Sequence, residues 1–203
     1  ELLQQVPIWS DTRAAEETEC FFDKINRDDW YLSTGNGFPP SCYSIFKLMW
    51  YKNHEPEVFG RIDKVLGSKD YINYRLTGAY FTDFSYISSS GVYNLLDRNL
   101  NKDFLEAAGI PESFFPPIVP SHYQIGTVTP EAARLTGLGE NTVVACGGVD
   151  NACMALGAIG TAEGSIYTSL GSSSWVPVNS RKPVLDPVKK PYVFAHIDET
   201  MFT

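Results

Sequence analysis

The 203-residue chain holds no CxxC pair, and its three histidines, His54, His122 and His196, are scattered, which argues against a structural zinc site. No G-x-x-x-x-G-K-[ST] run occurs, so there is no Walker A loop. A G-x-S-x-G nucleophile elbow is absent too: Trp175 stands where its second glycine would follow Gly171. No stretch approaches a transmembrane span and no signal peptide is visible. Basic residues are few, 16 Lys and Arg against 24 Asp and Glu, for a net charge of -8. That balance argues against nucleic acid or an anionic membrane as partner, since both need a basic face. It does not exclude an anionic substrate, because backbone amides bind phosphate without any lysine. No internal repeat or low-complexity tract is found.

What is present is ordinary for a globular protein: 43% hydrophobic and 20% charged residues, enough for one core or two small domains. Aromatic residues reach 13%, with 11 tyrosines, a bias toward a packed interior with ligand-facing rings. Cys146 and Cys153 lie among apolar or small residues and are expected to be buried free thiols, which fits a reducing, cytoplasmic compartment. The chain opens Glu-Leu-Leu without Met and reads as starting within a longer protein.

The pattern mixes helix and strand. A helix is expected from about Thr12 to Ile25 with Asp11 as N-cap. "STGNGFPPSC" reads as a loop, and the helix after it places Ile45, Leu48 and Met49 on one face. "PEVFGRI" reads as a short helix and "KVLG" as strand-like. The helix that follows ends at Gly78, and another short one is capped by Thr82 or Asp83. "NKDFLEAAG" is helical. Thr129 as N-cap, Pro130 at the first position and Gly137 past the end bound a further helix. "NTVVACG" reads as a buried strand, "NACMALGAIG" as a helix, and "GSIYTSLGSSSWVPVNS" as two strands about a Gly-Ser turn.

Two segments carry chemistry. In "TVVACGGVDNACMALGAIG", Gly147 and Gly148 allow a sharp turn before a lone acid, Asp150, at a helix start. The helix dipole favours the ionised carboxylate there, and such a carboxylate can take a proton from an alcohol. Read alone, the stretch favours a plain N-cap at Asp150, because capping aspartates greatly outnumber catalytic ones. Further on, Gly171, Ser172, Ser173 and Ser174 crowd amides and hydroxyls into one turn, which suits phosphate oxygens. Read alone, this too is an ordinary hairpin.

In that order, acid, short helix, strand, Gly-Ser turn and strand resemble the FGGY family of carbohydrate kinases, within the actin/hexokinase-like ATPase superfamily. "PIWSDTRA" is similar to the family's W-x-D-x-R segment. "TGNGFPPSCYSIFKLMWYKNHEPEVF" resembles its G…P…K-L-x-W-x-x-x-x-P-E region. "KVLGSKDYINYRLTG" and "TDFSYISSSGVYNL" resemble K-D-Y-x-x-x-x-L-T-G and T-D-x-S-x-A-S. "FPPIVPSHYQIGTVTPEAARLTGL" resembles the approach to the catalytic acid.

The resemblance implies an α/β fold: a ribonuclease-H-like (actin-like ATPase) lobe with a mixed β-sheet, incomplete at both ends. Residues 1–160 would belong to the sugar-binding lobe and residues 161–203 would begin the nucleotide-binding lobe. It implies ATP-dependent phosphorylation of a sugar hydroxyl, with Asp150 as general base and Asn151 beside the substrate. Trp9, Asp11 and Arg13 would lie near the sugar; without the family, Asp11 is an N-cap and Trp9 a core residue. Gly171, Ser172 and Ser173 would contact ATP phosphates, with Mg²⁺ arriving on ATP. Asp83 is expected to be structural. A ketopentose such as xylulose is the first substrate choice, since the motifs are most similar to xylulokinase-like members. Gluconate, glycerol, erythritol, ribulose or fuculose kinases share the framework, and a non-catalytic sugar- or nucleotide-binding member is the alternative class. The family's opening phosphate hairpin and late adenosine motif are missing, so the isolated chain is expected to be inactive. Its unpaired strands would form open edges, prone to aggregation or a homodimer.

Overall fold

Apolar residues three and four apart drive the packing of the first of two units. In the computed structural model, which describes residues 2–171 and 174–203, this unit comprises Glu1–Val65, Ser88–Phe114 and Val184–Phe194. Its first helices are α1 (Ala15–Phe22), α2 (Arg27–Thr34), α3 (Ser44–His54) and α4 (Pro56–Phe59). Ile45, Leu48 and Met49 of α3 are all buried, as their spacing predicts. Phe21 of α1 meets Phe46 of α3 edge-on, ring centroids 5.2 Å apart, a geometry that aligns ring edge with ring face. Trp30 of α2 packs on Phe46 and donates its indole N–H to Gly91 O at 2.8 Å, which satisfies its buried polar atom.

The helix expected from Thr12 starts later, at Ala15, and ends at Phe22. Asp11 is not its N-cap. Its carboxylate instead accepts the amide and guanidinium of Arg13. Helix α2 falls partly in the stretch read as loop. Asn26 starts it by accepting the amides of Asp28 and Asp29, and Gly35 ends it at φ 66°.

The second unit comprises Leu66–Ile87, Phe115–Pro183 and Ala195–Thr203. Parallel β1 (Thr82–Asp83) and β4 (Ile118–Val119) pair in register Thr82↔Ile118, and α5 (Ser68–Thr77) and α6 (Phe84–Ile87) flank β1 in sequence. The first unit's own pair is β2 (Tyr93–Asn94) and β3 (Asn99–Leu100), followed by α7 (Lys102–Ala108). Back in the second unit, β5 (Gln124–Thr127) pairs antiparallel with β6 (Val143–Ala145), with an irregularity between Gln124 and Gly126. Between them lies α8 (Pro130–Thr136), with Thr129 accepting from the Ala132 amide and Gly137 closing it, as expected. Helix α9 (Asp150–Ile159) leads to an antiparallel hairpin, β7 (Ser169–Leu170) and β8 (Ser174–Trp175). Parallel and antiparallel pairing both occur, spread over four two-stranded ladders among the described residues.

Three further local expectations fail. "KVLG" forms no strand; it is irregular chain, in which Val65 donates to Phe114 O. Strand β6 is not buried: Val143 is 53% exposed, because β6 pairs on one edge only among the described residues. Cys146 is buried as expected, but Cys153 lies on the exposed side of α9, whose buried residues are Ala152 and Ala155.

Two left-handed glycines close helices in different surroundings. A Cβ on Gly78 would meet nothing within 4 Å, whereas one on Gly35 would lie 2.5 Å from the Val193 carbonyl oxygen. Gly78→Ala should cost about 1–2 kcal/mol, the ordinary left-handed strain. Gly35→Ala should cost about 1–3 kcal/mol more, because backbone cannot step aside. Urea denaturation of both variants checks this, and equal losses would refute the crowding at Gly35.

Candidate functional site

Strand β6 stops at Ala145, and four residues, Cys146 to Val149, carry the chain to Asp150. Gly147 makes the turn at φ 73°, a conformation that costs glycine little. Asp150 is not the N-cap of α9. Val149 holds that position with extended backbone (φ -64°, ψ 147°), and Asp150 is the first helical residue. Its Oδ1 accepts the neighbouring Asn151 amide at 2.9 Å, and the side chain is exposed. The carboxylate is therefore not committed to closing the helix. Asn151 beside it is half-buried.

The turn is fixed from beneath. Cys146 N–H donates to Tyr123 O at 2.9 Å and Gly147 N–H to Ser121 O at 2.8 Å. The Cys146 carbonyl accepts Asn73 Nδ2 at 2.7 Å and Lys69 Nζ at 3.3 Å. Val149 N–H donates to Ser85 Oγ at 2.9 Å. Ser85 Oγ in turn donates to Asp83 Oδ2, which also accepts the Ser85 amide at 3.0 Å and Ser121 Oγ at 2.7 Å.

A buried charge cluster anchors these contacts. Lys69 Nζ lies 2.6 Å from Asp70 Oδ1 and 3.1 Å from Asp83 Oδ1. The second contact is an ion pair without the alignment of a hydrogen bond, since Asp83 Oδ1 has no hydrogen-bond partner. Burial pulls the Lys69 ammonium down, but Asp83 and Asp70 together outweigh it and hold Lys69 above the usual lysine range. Burial raises Asp70, against the opposing pull of Lys69. Cys146, 3.7 Å from Lys69 Nζ, is pushed up to about 11 by burial, so its thiol stays protonated at neutral pH.

Among the hairpin residues, Gly171 is an exposed bend between β7 and β8, while Ser172 and Ser173 lie outside the described residues. Tyr167, just before β7, packs edge-on to Trp175 with ring centroids 6.1 Å apart. Burial raises its hydroxyl above the usual tyrosine range, and the nearby Asp150 charge adds to the rise.

Trp9, Asp11 and Arg13 belong to the first unit. Asp11 and Arg13 pair at 2.7 Å, which lowers the first and raises the second. Arg13 also lies over the Trp50 ring, 4.7 Å from its centroid. Trp9 is 70% exposed rather than core, and Lys47 Nζ holds its carbonyl at 2.9 Å and that of Ile8 at 2.8 Å. A shallow cleft of about 410 Å³ beside Arg13 is lined by Gln4, Val6, Trp50 and Glu55 among others. Sequence reasoning missed the roles of Lys69, Asp70 and Ser85. The "KD" and "TDFS" pairs were visible, but which buried carboxylate meets which cation is a tertiary fact.

Residues 1–157 match the description "FGGY family of carbohydrate kinases, N-terminal domain". The chain is 30% identical over 196 residues to xylulose kinase of Bacillus subtilis, covering 97% of this chain and 39% of that protein. The crystal structure of xylulose kinase from Rhodospirillum rubrum superposes with TM-score 0.87 at 34% identity, over 96% of this chain and 39% of that one. Gluconate kinase from Lactobacillus acidophilus superposes with TM-score 0.86 at 26% identity, over all of this chain and 41% of that one. The chain thus spans about two fifths of the length of the relatives it matches. The fold is the ribonuclease-H-like α/β lobe of that family. Among the described residues, no helix is long and apolar enough to cross a membrane.

The charge cluster generates a stability prediction. Lys69→Met leaves two buried carboxylates facing each other and should cost about 3–5 kcal/mol near neutral pH. Held above the ordinary lysine value of 10.5, Lys69 contributes fully below that pH and loses its contribution as pH rises through the folded value. The gap between wild type and Lys69→Met should therefore be wide at pH 8 and narrow above pH 10.5. Denaturation at both pH values checks it, and a gap that fails to narrow contradicts the assignment.

Proposed function

Because the chain belongs to the FGGY family of carbohydrate kinases, we propose that the full-length protein phosphorylates a sugar hydroxyl with ATP, using Asp150 as general base. The observation that carries this reading is the exposed Asp150 carboxylate at the first residue of α9, uncommitted to a cap and set on a turn anchored from beneath. The carboxylate takes the hydroxyl proton as the sugar oxygen attacks the γ-phosphate and ADP leaves. Phosphoryl transfer asks the protein mainly for position and charge stabilisation. Asn151 borders the sugar. Trp9, Asp11 and Arg13 belong to the sugar-binding surface, where an exposed indole and a paired guanidinium suit a polyol.

Gly171 sits at an exposed hairpin bend where backbone can approach phosphate oxygens; with it, Ser172 and Ser173 are the residues this reading assigns to the ATP phosphates. In this reading Mg²⁺ comes to the site on the ATP phosphates, where it would bridge and neutralise their oxygens. Residues 1–160 are taken as part of the sugar-binding lobe and residues 161–203 as the start of the nucleotide-binding lobe, in a cytoplasmic enzyme. The substrate favoured is a ketopentose, xylulose first, because xylulose kinases recur among the similar proteins. A gluconate kinase with the same frame makes a sugar acid the second choice.

In full-length protein, Asp150→Asn should lower turnover by roughly two to four orders of magnitude, the scale of a general base. Calorimetric sugar binding should change far less, because a hydrogen-bonding amide remains. Stability should hold, because Asp150 makes no cap bond to lose. Steady-state phosphorylation of a panel of ketopentoses, gluconate, glycerol and erythritol checks both base and substrate. Undiminished turnover in the variant excludes Asp150 as base, and wild-type protein that binds sugar and ATP without turnover is a sensor. The 203-residue chain alone should show negligible turnover. Gly171→Val should weaken ATP affinity, because a branched side chain there crowds the phosphates.

A further inference from the structure

Asp150 stands at an exposed helix tip, and its one hydrogen bond described is to the next residue's amide. Among the described residues no other hydrogen bond sets its direction, so its aim follows from the backbone on which it rides. That backbone is set one residue earlier. Val149, the N-cap of α9, donates its N–H to Ser85 Oγ at 2.9 Å. Ser85 is fully buried, and its hydroxyl donates a hydrogen bond to Asp83 Oδ2. Asp83 is held by Lys69, by the Ser85 amide and by Ser121 Oγ. A single oxygen atom therefore joins the buried charge cluster to the residue before Asp150.

We propose that Ser85 is a positioning residue for the reaction, its hydroxyl fixing the N-cap of α9 and thereby the aim of the Asp150 carboxylate. The inference rests on the reading of Asp150 as general base. It is distinct from a merely structural role because Ser121 supplies an internal comparison. The Ser121 hydroxyl makes an equivalent buried bond to the same Asp83 oxygen, at 2.7 Å. Its link to the turn is through its main-chain carbonyl, which accepts Gly147 N–H at 2.8 Å and survives any side-chain change. Ser85→Ala and Ser121→Ala each take one hydroxyl from Asp83. Ser85→Ala alone also cuts the link to Val149.

Reacting groups displaced by about 1 Å can lose a hundredfold in rate. In full-length enzyme, Ser85→Ala should therefore lower kcat by roughly 10- to 100-fold while the KM values for sugar and ATP stay within about threefold. Ser121→Ala should lower Tm by a similar amount yet leave kcat within about threefold, since both lose one buried hydrogen bond of equal kind. Amide hydrogen exchange at Val149 should quicken in the Ser85 variant and not in the Ser121 variant. On an Asp150→Asn background, Ser85→Ala should add little further loss, because residues acting through one another are not additive. If Ser85→Ala does not fold, Ser85→Cys and Ser121→Cys carry the same comparison, with a weak donor filling nearly the same space.

Equal kcat losses in the two serine variants, or an unchanged kcat in Ser85→Ala, overturn the inference while leaving the base intact. Full additivity with Asp150→Asn overturns it as well. Undiminished turnover in Asp150→Asn alone overturns the base itself, and the positioning role with it.

Discussion

Asp83 is a carboxylate with no exposure, and the geometry around the candidate base depends on keeping it paired. A buried charge is tolerated only where cations and donors surround it. Lys69 supplies the cation, Ser85 and Ser121 the hydroxyl donors. The same three groups touch the turn from Cys146 to Val149, through a side chain, a hydroxyl and a carbonyl in turn. Satisfying one carboxylate thus orders the segment that leads to Asp150. Gly148 completes this arrangement by its missing side chain: a Cβ there would lie 2.0 Å from Ile197 Cδ1 and 3.1 Å from Ser85 Oγ.

The first unit is held differently. Its interior is a mesh of rings, Phe21, Phe22, Trp30, Tyr43 and Phe46, most of them meeting edge to face. The Asp11–Arg13 pair is exposed and adds little to stability, but three short contacts hold its geometry. Lys47 reaches from α3 to the carbonyls of Ile8 and Trp9, and burial pulls its ammonium below the usual lysine range. The Trp9 segment is therefore pinned at its backbone while its indole stays in solvent.

Much of this was legible in the chain, where local chemistry suffices. Thr129, Pro130 and Gly137 announce α8 because a threonine hydroxyl accepts an otherwise unpaired amide, proline at the first position gives up an N–H that has no helical partner, and glycine takes the left-handed end at little cost. Gly78 announces the end of α5 for the last of these reasons. The face of α3 follows from spacing alone. The seam of strand, glycine turn, acid and helix at Asp150 was also readable, since Gly147 needs positive φ and α9 has helical composition. Its ordered companions placed the chain in its family.

What the sequence by itself determined, then, is the bounds of elements with strong local caps such as α8, which residues are apolar, and the set of groups available for chemistry. Tertiary structure decided how those groups are used. Asp11 has the chemistry of an N-cap, yet a guanidinium two residues away outcompetes backbone amides for its oxygens. Asp150 is similarly suited to capping, but Val149 takes that place and leaves the carboxylate outward. Val143 is apolar and lies in a run that reads as a buried strand, but it stays 53% exposed because nothing among the described residues covers it. The meeting of Lys69 with Asp83 spans fourteen residues of sequence and has no local signature. Burial and pairing are properties of what surrounds a side chain, and those surroundings come from distant parts of the chain.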